Sequence, residues 1–214
     1  MTMDLPRPGS IPEPAVRRLS LYLRELEKFH RNNRLTISSK QLGESLRLTD
    51  AQVRKDLAYF GQFGRPGIGY RVVDLVSRLR HILGTDRDWN VLLVGAGNIG
   101  AALASYRGFA SKGFNIVAVL DNDPAKVGKR IGTFTVRPLS ELGAVAKEPS
   151  ARLAILAVPA DGAQDVADQL IAAGIRGLLN FAPLSLTVPK GVAVNAVDVG
   201  VQLEQLAFQT TMFD

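Results

Sequence analysis

The chain has 214 residues, no cysteine, two histidines and one tryptophan. Without cysteine there is no disulfide, no thiolate metal site and no thiol nucleophile. No stretch approaches the ~20 apolar residues that a membrane-spanning helix needs. No apolar run follows the first charges, so a secretory leader is not expected. No metal site is expected either, and a cytoplasmic location is the simplest reading. What the chain does have is 46% hydrophobic residues, enough for globular cores. Pro6, Pro8, Pro12 and Pro14 crowd the N-terminus, and residues 1–14 are read as a disordered tail.

The charge is unevenly spread. Residues 1–89 carry 16 Lys and Arg against 10 Asp and Glu, a net of +6, whereas residues 90–214 carry 10 of each. All excess positive charge therefore precedes residue 90. Such asymmetry suggests an anionic partner such as nucleic acid for the first half, though arginine-rich solvated helices would produce it too.

Residues 90–100 run Asn-Val-Leu-Leu-Val-Gly95-Ala96-Gly97-Asn98-Ile99-Gly100, an apolar strand entering Gly-x-Gly-x-x-Gly. A second apolar strand, 115–120, ends in Asp121, 21 positions past the last glycine. This is a dinucleotide-binding fingerprint in its full context. Gly95 permits the tight strand-to-helix turn, Gly97 lets the backbone approach a pyrophosphate, and Gly100 lets helix and strand lie close. The following helix offers free N–H groups to phosphate. Asp121 is expected to accept from both adenosine ribose hydroxyls and to repel a 2′-phosphate, favouring NAD over NADP.

Residues 15–31 keep a helical period through Val16, Leu19, Leu23, Leu26 and Phe29. Ser38 and Gln41 then have capping-box spacing, as do Thr49 and Gln52. Two short capped helices, the second running to Phe60, form a helix-turn-helix pattern. In the second helix Val53, Leu57 and Phe60 share the core face. Ala51, Gln52, Lys55 and Tyr59 fall opposite, with Arg54 on the flank. Glutamine suits adenine, while arginine or lysine suits guanine or phosphate; a merely solvated face is the alternative. The glycine-rich 61–73 segment predicts a short hairpin, a wing, with Arg65 near its tip. A helix over 74–83 follows, and residues 85–88 form the expected boundary.

Beyond residue 89, strands are predicted at 91–94, 116–120, 133–136, 153–158, 177–181 and 192–197. Helices are predicted at 98–106, 139–145 and 164–173. This alternation gives a parallel sheet covered on both faces. Ligand is expected at the strand C-termini, beside Gly95, Asp121, Val158, Pro159 and Asn180. Residues 199–213 read as an apolar terminal helix, suited to a second subunit. The chain thus reads as α/β, with a winged helix-turn-helix domain (15–88), a Rossmann-type parallel sheet domain (89–198) and a C-terminal dimerisation helix (199–214).

Catalytic machinery is harder to find. A nicotinamide dehydrogenase needs a proton donor beside the reacting carbon, yet His30 and His81 both lie in the N-terminal half. Near the fingerprint only Tyr106 and Asp198 are candidates, without a Tyr-x-x-x-Lys pair or a second substrate lobe. No catalytic residue is assigned, and the chain is not expected to be an enzyme. The residues leave two other readings open. One is a small NAD-dependent oxidoreductase with a basic accessory domain. The other is a DNA-binding protein that takes another adenine nucleotide, such as coenzyme A.

The motifs resemble one family closely. They are Gln52-Val-Arg54-Lys55-Asp56-Leu followed by Tyr59-Phe60-Gly61, Gly67-Ile-Gly69-Tyr70, Gly95–Gly100, Tyr106-Arg-Gly-Phe, Asp121-x-Asp123-Pro-x-Lys126-Val-Gly128, Asn180-Phe-Ala-Pro183 and Asn195-x-Val-Asp198. The chain resembles the Rex redox-sensing transcriptional repressors from about residue 15 to 200. The resemblance implies a homodimer with exchanged C-terminal helices that binds palindromic operator DNA. It further implies release from DNA by NADH, with NAD⁺ permitting binding. Asp123, Lys126, Val158, Pro159, Asn180, Tyr106 and Asp198 would join the glycine loop and Asp121 around the cofactor. Ser38, Ser39, Gln52, Arg54, Lys55, Tyr59 and Arg65 would face DNA. Arg24, Tyr106 and Asp198 would relay the redox state. Val199 departs from the aromatic residue that some family members place after this aspartate to pack on the nicotinamide.

Overall fold

The first helix is set by which residues repeat at its period. In the computed structural model, which describes residues 11–61, 63–64, 67–147 and 150–212, α1 spans Glu13–Arg31. It starts inside the predicted tail, because proline in a first helical turn sacrifices no hydrogen bond. Its buried stripe is Ala15, Leu19, Tyr22 and Leu26. Val16, predicted to face inward, is 39% exposed, and Tyr22 takes the core in its place.

Strand β1 (Thr36–Ile37), helices α2 (Ser39–Ser45) and α3 (Asp50–Ala58), strand β2 (Tyr70–Arg71) and helix α4 (Val72–Ile82) complete this unit. The two strands pair antiparallel, Ile37 opposite Tyr70. The expected local hairpin within 61–73 is thus corrected: the partner of β2 lies before α2. Val72 and Val73 belong to α4 rather than to a strand, and Arg65 lies outside the described residues. Leu19, Tyr22, Leu26, Ile37, Leu42, Val53, Leu57, Leu75 and Leu79 form one core.

The contact pattern divides the chain between Arg87 and Asp88. In the second unit come β3 (Trp89–Val94), α5 (Asn98–Ala104), β4 (Phe114–Asp121), β5 (Arg130–Ile131), β6 (Phe134–Thr135), β7 (Arg137–Pro138), α6 (Leu142–Lys147), β8 (Leu153–Leu156), α7 (Ala160–Ala172), β9 (Gly177–Asn180), β10 (Ala193–Ala196) and α8 (Val199–Thr211). Six strands form one sheet in the order β10-β9-β8-β3-β4-β7, every pair parallel. This is the doubly wound dinucleotide-binding order, which reverses between β3 and β8. Alternation along β3 explains the two covered faces: Leu92 and Val94 enter one core, Val91 and Leu93 the other.

Two predicted elements change. The strand expected at 133–136 is an antiparallel β5–β6 pair turning at Gly132 (φ 59°), followed by the separate edge strand β7. Pro138 cannot donate to a ladder and is tolerated there because β7 is an edge. Helix α7 starts four residues before the predicted 164, directly after Pro159.

Helix α8 buries nothing within the chain. Leu203 is 61% and Phe208 67% exposed. An apolar helix left bare in this way lacks the tertiary packing from which most helical stability comes.

The α1 phasing sets a contrast. Leu19→Ala removes a fully buried side chain and should cost about 2–5 kcal/mol of stability, whereas Val16→Ala should stay within about 0.5 kcal/mol. Thermal denaturation of the two variants checks this, and equal losses would contradict the phasing.

Candidate nucleotide-binding and DNA-binding sites

The glycine loop leaves β3 at the point where strand order reverses. Gly95 has φ +104°, and a Cβ on it would overlap the Ala157 carbonyl oxygen. The Gly95 N–H donates to Leu120 O and the Ala157 N–H to Val94 O, both at 2.8 Å. A Cβ on Gly100 would in turn strike the Gly95 carbonyl oxygen. Those two glycines are required by the chain itself. Gly97 is different: a Cβ there would meet nothing within 4 Å. Its bare backbone fits a group that must approach it from outside, as a pyrophosphate would. Asn98 and the half-exposed Ile99 open α5 beside it.

Asp121 ends β4 and is only 5% exposed. Its Oδ2 accepts from the Ala96 N–H at 2.7 Å and its Oδ1 from the Asp123 N–H at 2.8 Å. Lys126 Nζ stands 3.3 Å from Asp121 and 3.4 Å from Asp123. Burial pushes the Asp121 carboxyl up, but the two N–H groups and Lys126 outweigh it and hold its pKa below the ordinary value. Asp121 therefore stays ionised and ties the glycine loop to the second strand. It also lines a cleft of about 370 Å³ with Asn122, Pro124, Val127, Pro138, Leu139 and Ser140. Each carboxylate oxygen has two lone pairs, so Oδ1 keeps one for a ligand in that cleft. Sequence reasoning missed the apolar wall from Pro124 to Leu139. Its signal was position, at the C-terminal ends of β4 and β7.

Asn180, placed among cofactor contacts, is 1% exposed. Its Nδ2 donates to the Ala182 and Leu184 carbonyls at 3.2 and 2.8 Å, and its Oδ1 accepts from the Ala182 N–H at 2.9 Å. The amide folds the turn after β9, with both Nδ2 hydrogens used there and one bond accepted by Oδ1. Val158 and Pro159 follow β8, with Pro159 capping α7. Tyr106 is exposed and packs edge-on against Phe109, ring centroids 5.0 Å apart. Asp198 caps α8, accepting from the Val201 N–H at 3.1 Å. No hydrogen bond joins Tyr106 to Asp198 among the described residues. Val199 stands exposed at the first position of α8.

In the N-terminal unit, Ser38 and Gln41 form the complete capping box of α2. Thr49 accepts from the Gln52 N–H at 3.1 Å, but the Gln52 side chain does not return to the cap. It donates instead to Asp56 Oδ1 at 2.8 Å, so the second box is only half made. A Cβ on Gly43 would meet Leu48 O at 2.6 Å, which brings the end of α2 close to the turn into α3. Arg54 is exposed on α3 and donates to Asp50 at 2.6 Å and to Ser39 at 3.2 Å. Lys55 is exposed, Tyr59 is 36% exposed, and Arg24 is exposed on α1. Ser39, Arg54, Lys55 and Tyr59 thus offer polar groups to solvent.

Sequence reasoning overlooked Asp56, which is buried in this unit. Arg18 donates to it through Nε at 2.5 Å and Nη2 at 2.8 Å, and the Tyr22 hydroxyl donates at 2.7 Å. Burial pushes the Asp56 carboxyl up, while Arg18, Tyr22 and Gln52 more than reverse this, so its pKa lies below the ordinary value. The same burial, together with Asp56, drives the Tyr22 hydroxyl strongly upward. The signal lay in phase: Asp56 falls beside Val53, Leu57 and Phe60 on the core face.

A helix-turn-helix unit followed by a dinucleotide-type sheet defines a class, the DNA-binding regulators that carry a nucleotide-binding domain. Comparison with known proteins narrows the class. Residues 10–58 match the family model for a putative DNA-binding protein N-terminus, and residues 86–184 the model for a CoA binding domain. The chain is 49% identical over 202 residues to the redox-sensing transcriptional repressor Rex of Desulforamulus reducens, covering 94% of this chain and 96% of that one. It is 50% identical over 198 residues to Rex of Carboxydothermus hydrogenoformans, covering 92% and 95%. Among solved structures it is similar to RSP in complex with β-NAD⁺ and operator DNA, at TM-score 0.89 and 35% identity, covering 94% and 93%. RSP in complex with β-NADH matches at TM-score 0.85 and 33% identity, covering 95% and 96%. The chain belongs to the Rex family of redox-sensing transcriptional repressors.

The loop geometry separates two glycine variants. Gly95→Ala should lower the melting temperature, because both its φ and the Ala157 carbonyl oppose a side chain. Gly97→Ala should leave melting unchanged and weaken NADH binding at least tenfold by isothermal titration. Loss of stability in the second, or of neither property in either, would contradict the assignment.

Proposed function

We propose that this protein is a repressor whose hold on operator DNA is set by NADH relative to NAD⁺. One observation carries the reading: the likeness to RSP, solved with β-NAD⁺ and operator DNA, spans both units of the chain. The residues fit the ligands. Gly97 leaves room for a pyrophosphate, and the Asp121 cleft suits an adenosine whose ribose carries free hydroxyls. Asp123 and Lys126 stand beside it, and Tyr106 and Asp198 are exposed for the nicotinamide end. The CoA-binding match describes the same sheet, but the ionised Asp121 disfavours a ribose phosphate. On DNA, Ser38, Ser39 and Lys55 hold phosphates while Gln52 and Arg54 meet base edges, with Tyr59 flanking them.

Oxidised nicotinamide carries a positive ring charge and reduced nicotinamide none. Asp198 near that ring feels the difference most where water is excluded, and Arg24 and Tyr106 compete for it in two arrangements of a dimer. Moving such an equilibrium from 1:99 to 99:1 needs about 5.5 kcal/mol of differential affinity, which two sites per dimer share. Catalysis is no part of this role, and the protein works in the cytoplasm beside its DNA. The bare α8 is the dimerisation helix, exchanged between subunits, which places two recognition helices on one palindrome.

Three measurements test this. At constant salt NADH should raise the dissociation constant for a palindromic operator at least tenfold and NAD⁺ should barely change it; equal effects would sink redox sensing. In the same assay, Arg54→Ala with Lys55→Ala should abolish specific binding and spare NADH affinity. Deleting residues 199–214 should convert a dimer into a monomer in sedimentation equilibrium, and a persistent dimer would refute the role given to α8.

A further inference from the structure

The recognition helix holds a glutamine whose freedom has been removed. Gln52 sits in the first turn of α3, half-buried, four residues before Asp56. Asp56 is 1% exposed, and it receives Arg18 and Tyr22 from one face of α1, where they too stand four residues apart. A side-chain amide has two ends of nearly equal size, and ordinarily either one can turn outward. An ionised carboxylate accepts and never donates. The Gln52 Nε2 must therefore face Asp56, where it lies 2.8 Å from Oδ1, and the amide oxygen is turned away from it. Among the described residues that oxygen has no hydrogen-bond partner.

We infer that Asp56 is a positioning residue that fixes the polarity of Gln52, so that α3 presents a hydrogen-bond acceptor and selects an amino-bearing base, adenine or cytosine, at one position of each half-site. This rests on the repressor reading and deepens it. In the major groove adenine N6 and cytosine N4 donate, whereas guanine O6 and N7 and thymine O4 accept. An acceptor pointing into the groove meets a donor on the first pair and another acceptor on the second. The Arg18 and Tyr22 contacts keep Asp56 charged and in place, and they lock α3 to α1. A buried carboxylate with four donors aimed at it does not reorient to suit a different base.

The test is the dissociation constant of the full-length protein for operators varied one position at a time. The wild type should favour adenine or cytosine over guanine or thymine at one position by roughly tenfold to a hundredfold. Gln52→Ala should flatten that position and no other. Gln52→Glu, which presents only oxygen, should keep the sense of the preference. Asp56→Asn, which frees the amide to turn, should shrink the preference at that position while weakening the others uniformly. A folded Asp56→Asn protein that keeps the full wild-type preference overturns the inference. So does a Gln52→Glu protein that reverses it, a result readable even if Asp56→Asn does not fold. So does a Gln52→Ala protein with no change at any position. A wild type with no sequence preference at all overturns the repressor reading as well. Selective binding without an amino-bearing base at any Gln52-dependent position overturns only this inference.

Discussion

A carboxylate can be buried only if hydrogen-bond donors compensate for the water it loses, and each unit of this chain is organised around one that meets the condition. In the N-terminal unit Asp56 gathers Arg18, Tyr22 and Gln52, and in doing so joins the first helix to the third. In the second unit Asp121 gathers two backbone N–H groups and Lys126, and in doing so joins the second strand to the glycine loop. No buried side-chain polar atom among the described residues lacks a partner. Removing one partner of such a group costs far more than the bond itself is worth, because the charge is left stranded. Both carboxylates therefore act as fixed points, and the surfaces beside them inherit that rigidity.

Those surfaces carry the candidate binding groups. The glycine loop is shaped by two close backbone approaches, at Gly95 and Gly100, and left open at Gly97. The recognition helix is locked from behind by Asp56 and exposed in front at Arg54 and Lys55. The chain supplies a third feature, the apolar α8, which buries nothing among the described residues. Two braced sites on one chain make a molecule whose state is set by which of its arrangements each ligand prefers. A nucleotide influences such a molecule only through its unequal affinity for the arrangements available.

Much of this was legible in the residue order, and the reason is locality. The fingerprint at Gly95–Gly100 and the capping box at Ser38–Gln41 depend on neighbours within six residues, so spacing reveals them. The sheet followed from alternating apolar strands and amphipathic helices, and the structure adds its order. What spacing did not reveal has two sources, distant partners and the detailed course of local turns. Asp56 carries no local signal of its partners, because Arg18 and Tyr22, which donate to it, lie more than thirty residues earlier. Val16 shared the helical period with Leu19 yet lost the core to Tyr22. Asn180 ends its strand at the expected crevice, and its spacing did not show that its amide also closes the turn there. The strand expected at 133–136 failed because Gly132 folds the chain back on itself.

The central claim is that one molecule couples a nucleotide site to a DNA site, and coupling between two binding equilibria is reciprocal. The most direct measurement is the NADH dissociation constant with and without saturating operator. Operator should weaken NADH binding by the same factor by which NADH weakens operator binding, and should leave NAD⁺ binding nearly unchanged. NADH affinity that is indifferent to operator would contradict the account.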